Sequence, residues 1–146
     1  LIMSFCSANS TSLASKSKYK SVDQFPVLSY NLLETKKINK QIYEAVKNRE
    51  EWPDNPLLIV SKYHQNIGMS SFVSIVAKSP GGEGYSTSTV TVVESGYLDD
   101  SVRGGWFQFY LDRNNAAFIW EVKEIRQANL CGRMNSPNEF SKENCP

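Results

Sequence analysis

The sequence is poor in the side chains from which catalytic and metal sites are usually built. Its 146 residues include one histidine, His64, and three cysteines, Cys6, Cys131 and Cys145. No Gly-x-Ser-x-Gly segment is present, which argues against a hydrolase nucleophile of that type. The glycine-rich run at 81–84 is not followed by the Lys-Ser/Thr pair of a phosphate-binding loop. We therefore predict no catalytic residue, no metal site and no cofactor.

The sequence also lacks a long apolar run and an excess of either charge. After the first few residues, no segment approaches the ~18 apolar residues of a membrane-spanning helix. Sixteen Lys and Arg residues against fifteen Asp and Glu residues leave a net charge of +1, so we expect no nucleic-acid binding. With 40% hydrophobic and 21% charged residues, the composition is that of a folded protein.

The N-terminal residues have the composition of the end of an export signal. Residues 1–8 are mostly apolar or small, and Cys6 is either part of a cleavage region or a lipid-modified cysteine. The alternative is an arbitrary start with Cys6 partly buried. The Ser-, Thr- and Lys-rich stretch that follows is typical of a flexible tether. We therefore expect residues 1–24 to be an export remnant and tether, residues 25–146 to form one domain, and the protein to be exported, either periplasmic or attached to a membrane by lipid.

Two helices are predicted in the first half of the chain. Apolar residues recur at helical spacing from Thr35 onward, and Pro53 disfavours a helical conformation in the residue before it. Asp54 as N-cap and Pro56 in the first turn predict a short second helix. A strand remains the alternative for residues 57–63, because β-branched residues fit either state.

Four strands are predicted in the second half. Alternating or continuous apolar residues mark 71–78, 87–94, 105–112 and 116–125, with a hairpin turn at 113–115. Consecutive strands with short connections form an antiparallel meander, and its apolar face needs a cover. We therefore predict an α+β fold, in which an N-terminal helix and a short second helix pack on a curved four-stranded antiparallel sheet, as in cystatin-like or NTF2-like proteins.

Aromatic residues exceed what one face of a strand would use. The strand at 105–112 is aromatic on both sides, so a cavity or partner surface is one interpretation and core packing is the other. The candidate ligand- or partner-binding residues are Trp52, Tyr63, Trp106, Phe107, Phe109, Tyr110 and Trp120.

Three polar residues offer a weaker alternative. His64 follows the second predicted helix, and Asp99 and Asp100 lie between two strands, where aspartate commonly bonds its own backbone. Arg103 is placed to pair with one of these aspartates across the turn. A structural role is the main interpretation, and an acid–base pair of His64 with one aspartate is the alternative.

The remaining two cysteines suggest a disulfide. Cys131 and Cys145 would close a loop of about fifteen residues, for which a bridge is worth about 3 kcal/mol. The alternatives are free thiols, or a metal site, for which this region lacks further histidine or cysteine ligands.

One resemblance covers residues 52–146. The chain resembles a group of small exported proteins common in cyanobacteria in the segments 96–104, Trp120, 131–133, 140–141 and Cys145. Here Tyr97 intrudes between Gly96 and Leu98, so the match is to the pattern and not to each spacing. The resemblance implies an exported protein with a disulfide, and it implies no activity.

These observations favour a non-enzymatic exported domain that binds a protein partner or a small apolar ligand through an aromatic sheet face. One alternative is an NTF2-like enzyme that uses His64 with a carboxylate in a cavity. Another is a cystatin-like protease inhibitor, although the sequence contains no Gln-x-Val-x-Gly segment. Membrane attachment, if any, would be through lipid on Cys6.

Overall fold

The computed structural model describes residues 21–64, 70–82, 84–114, 116–133 and 138–146. Within these ranges the protein is mostly β. The helices are α1 (Lys36–Lys47) and α2 (Pro56–Tyr63), and the strands are β1 (Asn31–Leu33), β2 (Phe72–Lys78), β3 (Thr87–Ser95), β4 (Val102–Asn114), β5 (Ile119–Cys131) and β6 (Phe140–Ser141).

The six described strands form one antiparallel sheet in the order β1-β5-β4-β3-β2, with β6 also paired to β5. Strands β2 to β5 are a meander, as expected for consecutive strands. Strands β1 and β6 share the outer edge of β5, because Leu33 pairs with Ile125 and Phe140 pairs with Leu130. One edge of the sheet is therefore built from two short segments that are far apart in the chain.

The predicted four-stranded, cystatin-like or NTF2-like architecture is wrong. The two helices and four long strands overlap the segments that the periodicity marked, but the sheet has six strands in the described ranges and the protein is mostly β. The hairpin turn predicted at 113–115 is also misplaced, because β4 continues through Asn114 and β5 begins only at Ile119. Strands β1 and β6 are three and two residues long, too short to show a period of two. They are strands because the edge of β5 offers them backbone partners.

The second predicted helix forms, and the strand alternative at 57–63 is wrong. Its N-cap is Asn55, however, and not Asp54. Residues Trp52–Asp54 form a 3₁₀ turn, and the Asn55 side chain accepts the Leu57 N–H at 2.9 Å. An asparagine in this position satisfies a backbone donor that no helical carbonyl can reach.

The larger core lies between the two helices and the sheet. Ile38 and Ile42 of α1 are fully buried, as their spacing predicted, and they meet alternate residues of the central strands. The buried members of this core are Ile38, Ile42, Ile59, Val60, Val90, Val92, Phe109, Leu111, Trp120, Val122 and Ile125.

A smaller core lies on the opposite face of the sheet. Phe140 is fully buried there with Val93 and Leu130, and Phe25 packs against it with ring centres 6.4 Å apart. On this face, the chain before β1 covers the end of the sheet near β6, since Val27 forms an isolated bridge with Phe140. The face that carries the smaller core is thus covered at this end, and neither α1 nor α2 packs on it.

The Cys131–Cys145 disulfide predicted from the sequence is confirmed. The Cα atoms lie 5.2 Å apart, and the bridge encloses β6. Among the helices that the structure describes, none is long and apolar enough to cross a membrane.

Candidate functional site

The predicted aromatic residues of the sheet do not share one face. Phe107 and Phe109 belong to the helix-side core, and Trp120 is buried in that core as well. Trp106 packs in the smaller core on the other face, and Tyr110 lies on the same side as Trp106. The reason is that neighbouring residues of a strand point to opposite faces. The candidate aromatic residues of the sheet are therefore divided between its two faces and do not form one binding surface.

Trp52 and Tyr63, the two predicted residues outside the sheet, line surface cavities between the helices. The larger cavity has a volume of about 330 Å³ and is lined by Lys37, Gln41, Lys62 and Tyr63. The smaller has about 220 Å³, and Trp52 lines it. Gln41 and Lys62 line both cavities, so the two adjoin. We call this surface the interhelical groove.

Contacts beneath and beside the groove fix both aromatic rings. The indole N–H of Trp52 donates to the Glu50 carboxylate at 2.7 Å, and the Lys62 Nζ lies 5.9 Å from the centre of the indole ring. The Tyr63 ring meets Phe109 edge to face, with ring centres 5.6 Å apart. Because these rings are already held in place, a ligand would bind them with little loss of side-chain entropy.

A second cluster forms where α2 ends. The Nε2 atom of His64 lies 3.0 Å from Oε2 of Glu94, and the Tyr97 hydroxyl donates to the same Oε2 at 2.6 Å. The Glu94 side chain is only 3% exposed and that of His64 12%. With Glu94 ionised, the first bond requires the proton on His64 Nε2, since a carboxylate can only accept. The cluster ties the end of α2 to β3.

Burial and the hydrogen bond to Glu94 keep Tyr97 in its neutral, donating form. Burial is the main cause, and both effects raise the pKa of the phenol well above its ordinary value. Gly105 leaves room for this arrangement, because a Cβ there would lie 3.0 Å from the Tyr97 hydroxyl. In the part of the chain that the structure describes, Oε1 of Glu94 is buried without a hydrogen-bond partner.

The sequence interpretation paired His64 with Asp99 or Asp100, whereas the structure pairs it with Glu94. Asp99 instead accepts the backbone N–H groups of Ser101 and Val102 at 2.7 and 3.0 Å, and these bonds lower its pKa. Asp100 pairs with Arg133 at 3.0 Å, where Arg103 had been the expected partner. Asp99 therefore shapes the turn, which is the role that the main interpretation gave to both aspartates, whereas Asp100 forms an exposed ion pair.

Glu94 could have been found in the sequence. It follows Val90 and Val92 at intervals of two in a predicted strand, so it continues a buried apolar row. A carboxylate in such a row requires hydrogen-bond partners inside the fold. Nothing local identifies His64 as that partner, since the two residues are 30 positions apart.

The Arg126 side chain lies on the face of the sheet opposite the helices. The Arg126 guanidinium lies 4.6 Å from the ring centres of both Tyr30 and Tyr110. It also donates to the Tyr110 hydroxyl at 2.9 Å. Tyr110, a candidate binding residue in the sequence, is thus part of a network of side chains on this face of the sheet.

No group of three His, Cys, Asp or Glu side chains within the described ranges is placed to hold a metal ion. Cys6, the candidate for lipid attachment, lies outside those ranges. No family model, no curated protein and no solved structure matches this chain.

Proposed function

We propose that the chain is a non-enzymatic binding domain of an exported protein and that it binds a small ligand in the interhelical groove. The observation that carries the proposal is the pair of adjoining cavities lined by Trp52 and Tyr63. The larger, at about 330 Å³, falls within the usual range of ligand pockets, roughly 300–1,000 Å³. Such pockets combine apolar surface with a few fixed polar groups.

The geometry favours this groove over the sheet as the place of binding. Phe109 and Trp120 are buried in the core and are not available to a ligand. The cavity described on the opposite face, beside Asp23 and Val76, is smaller, at about 160 Å³. The groove therefore joins a cavity of about 330 Å³ to two half-buried aromatic rings.

The exported location is supported by the disulfide between Cys131 and Cys145, because such bonds persist in oxidising compartments. The test is to express the chain behind a complete signal sequence in a Gram-negative host and to measure its mass. A processed protein from the periplasm that gains two hydrogens on reduction supports export. An unprocessed chain with free thiols contradicts it.

The groove is tested with N-phenyl-1-naphthylamine, a neutral aromatic probe whose fluorescence rises in apolar surroundings. We expect saturable binding with one site per chain. Trp52→Ala should weaken it at least about fivefold, since aromatic contacts contribute roughly 1 kcal/mol. Trp106→Phe, a substitution in the smaller core on the other side of the sheet, is the matched control. If the probe does not bind, or if it binds Trp52→Ala as tightly as the unmodified protein, the proposal is rejected.

One observation favours a second candidate, acid–base catalysis by His64 and Glu94. A histidine held 3.0 Å from a buried carboxylate has the geometry of an oriented general base. The test is to assay a panel of p-nitrophenyl esters, phosphates and glycosides with the unmodified protein and with His64→Asn and Glu94→Gln. Turnover that both variants abolish supports catalysis. Turnover that is absent, or equal in all three proteins, rejects it.

A further inference from the structure

We infer that the ligand of the interhelical groove is an anion with an aromatic part, and that its negative group lies between Lys37 and Lys62. This inference rests on the proposed function, because it specifies the ligand class for the same groove.

Each of the four side chains that line the larger cavity can donate a hydrogen bond. Lys37 and Lys62 carry ammonium groups, Gln41 an amide and Tyr63 a phenol, and no carboxylate is among the described lining residues. An anion with several acceptor oxygens can use all four donors. A cation would meet two like charges there.

The two lysines form no ion pair with any residue that the structure describes. Within the residues that the structure describes, neither Lys37 nor Lys62 lies within 4.0 Å of a carboxylate, whereas Lys40, one position before Gln41, pairs with Glu44 at 3.8 Å. Lys123, at a distance from the groove on β5, is likewise paired, with Glu121. The positive charge that faces the larger cavity is therefore free to attract a ligand.

The smaller cavity fixes the direction of the ligand. Glu44 and Glu50 line it together with Trp52, so a negative group is disfavoured at this end. Glu50 holds the indole N–H, and Lys62 extends over the ring. An anionic aromatic molecule can place its charge beside Lys37 and its ring toward Trp52, but the reverse orientation would bring its charge toward two carboxylates.

The test compares two fluorescent probes that differ mainly by one negative group. They are 1-anilinonaphthalene-8-sulfonate and its neutral counterpart N-phenyl-1-naphthylamine. We expect the sulfonate to bind about tenfold more tightly, and Lys37→Gln to weaken its binding roughly fivefold, the effect of losing one exposed ion pair. The neutral probe should be unaffected by Lys37→Gln. Added salt should weaken only the sulfonate.

Lys40→Gln is the matched control, because Lys40 lies on the same helix, is paired with Glu44 and lines neither cavity. Circular dichroism and the unfolding midpoint show that each variant is folded. Lys62→Gln is measured with both probes, because Lys62 also lies over the Trp52 ring and its loss can change the binding of the neutral probe as well.

Three results are distinguishable. Preference for the sulfonate that is lost in Lys37→Gln but kept in Lys40→Gln supports the inference. Equal binding of both probes, dependent on Trp52 but not on Lys37, overturns the inference and leaves the proposed function standing. Failure of both probes to bind in a Trp52-dependent way rejects the proposed function, and the inference falls with it.

Discussion

The side-chain amide of Asn39 forms two hydrogen bonds with the backbone of Val122. Its Nδ2 donates to the carbonyl at 2.9 Å, and its Oδ1 accepts the N–H at 2.8 Å. Strand β1 ends at Leu33 opposite Ile125, so Val122 lies beyond the part of the β5 edge that β1 pairs. Asn39 therefore takes the place of a neighbouring strand, and it fixes helix α1, which carries Lys37 and Gln41, against the sheet.

We predict that Asn39→Ala lowers the free energy of unfolding by about 1–3 kcal/mol, because it leaves two partly buried backbone groups without partners. Asn39→Asp keeps the acceptor and loses the donor, so its effect should be smaller. Urea unfolding followed by circular dichroism measures both. Lys40→Ala, an exposed substitution one position along the helix, should stay within about 0.5 kcal/mol. An Asn39→Ala variant as stable as this control would contradict the role given to the amide.

A second prediction concerns the room that Gly105 leaves for Tyr97. Tyr97→Phe removes one donor to the buried Glu94 carboxylate and should cost about 1–3 kcal/mol. Gly105→Ala should also destabilise, since its Cβ would lie 3.0 Å from both the Tyr97 hydroxyl and the Phe107 ring. If the Ala mainly displaces the hydroxyl, the double variant should be less destabilised than the sum of the single variants.

The measurement is a double-mutant cycle of urea unfolding on Tyr97→Phe, Gly105→Ala and the double variant. Strict additivity would mean that the Gly105 substitution acts through Phe107 and not through the hydroxyl. Glu94→Gln tests the same hydrogen bond from the other side, because it removes the charge to which the Tyr97 hydroxyl donates. In this background, Tyr97→Phe should cost less free energy of unfolding.

The contact between Tyr97 and Glu94 predicts a loss of stability at high pH. Burial, together with the Glu94 carboxylate, raises the pKa of Tyr97 in the folded protein. The folded state then holds its proton more firmly than the unfolded state does. The contribution to stability is present in full below the unfolded pKa, and it is lost as the pH rises above about 10 toward the folded pKa.

Unfolding midpoints measured between about pH 8 and 11 should therefore fall less steeply in Tyr97→Phe than in the unmodified protein. Tyr85→Phe removes another tyrosine hydroxyl, from a ring that packs on Trp120, and it should leave the slope unchanged. Parallel curves for the unmodified protein and Tyr97→Phe would show that Tyr97 titrates alike in both states.

The long elements could be predicted because their signals are local. Ile38 and Ile42 mark α1 by their spacing, and the alternation around Val90 and Val92 marks β3. Strand β6 could not be predicted, since two residues carry no period and their pairing depends on β5. The sheet was thus recognisable along its central strands but not at its outer edge.

Parts of the candidate sites, like parts of the sheet, could be predicted only where the signal is local. Trp52 and Tyr63 were selected from the sequence as aromatic candidates, and the structure places both beside the groove. Lys37 and Lys62 line one cavity because of where α1 and α2 lie on the sheet, which no local pattern specifies. The partner of His64 was missed for a similar reason, because Glu94 becomes its neighbour only when α2 docks on β3.

A fourth prediction concerns the turn before β4. The N–H of Val102, and next that of Ser101, lower the pKa of Asp99 in the folded protein. A lowered folded pKa contributes stability above the unfolded pKa, and this contribution is lost as the pH falls through about 4 and below. The urea midpoint of Asp99→Ala should therefore change less between about pH 6 and 3 than that of the unmodified protein.

Asp100→Asn is the matched control for this acid dependence. Its carboxylate pairs with exposed Arg133 and not with backbone N–H groups, so its removal should leave the acid slope close to that of the unmodified protein. If Asp99→Ala and Asp100→Asn gave the same slope, the backbone hydrogen bonds of Asp99 would not be the source of the pH dependence.

We predict that the disulfide has two effects: it closes a loop, and it holds Phe140 in place at the edge of β5. Cys131 and Cys145 are 14 positions apart, and a loop of about fifteen residues predicts a loss of about 3 kcal/mol when the bridge is removed. The loop contains Phe140, which is fully buried and pairs with Leu130 at the edge of β5. Without the bridge, the position of this ring depends on packing and the two-residue strand alone.

We therefore expect the Cys131→Ser/Cys145→Ser double variant to unfold at lower urea concentration. The cost of Phe140→Ala, usually about 3–5 kcal/mol for a buried phenylalanine, should be smaller in that background, because part of the ring's packing is already lost. Cys131→Ala/Cys145→Ala is the control for the polarity of serine, and it should lower the midpoint to a similar extent because it removes the same bridge. An undiminished Phe140→Ala cost without the bridge would show that β6 holds its place by pairing and packing alone, and that the disulfide acts only on the unfolded chain.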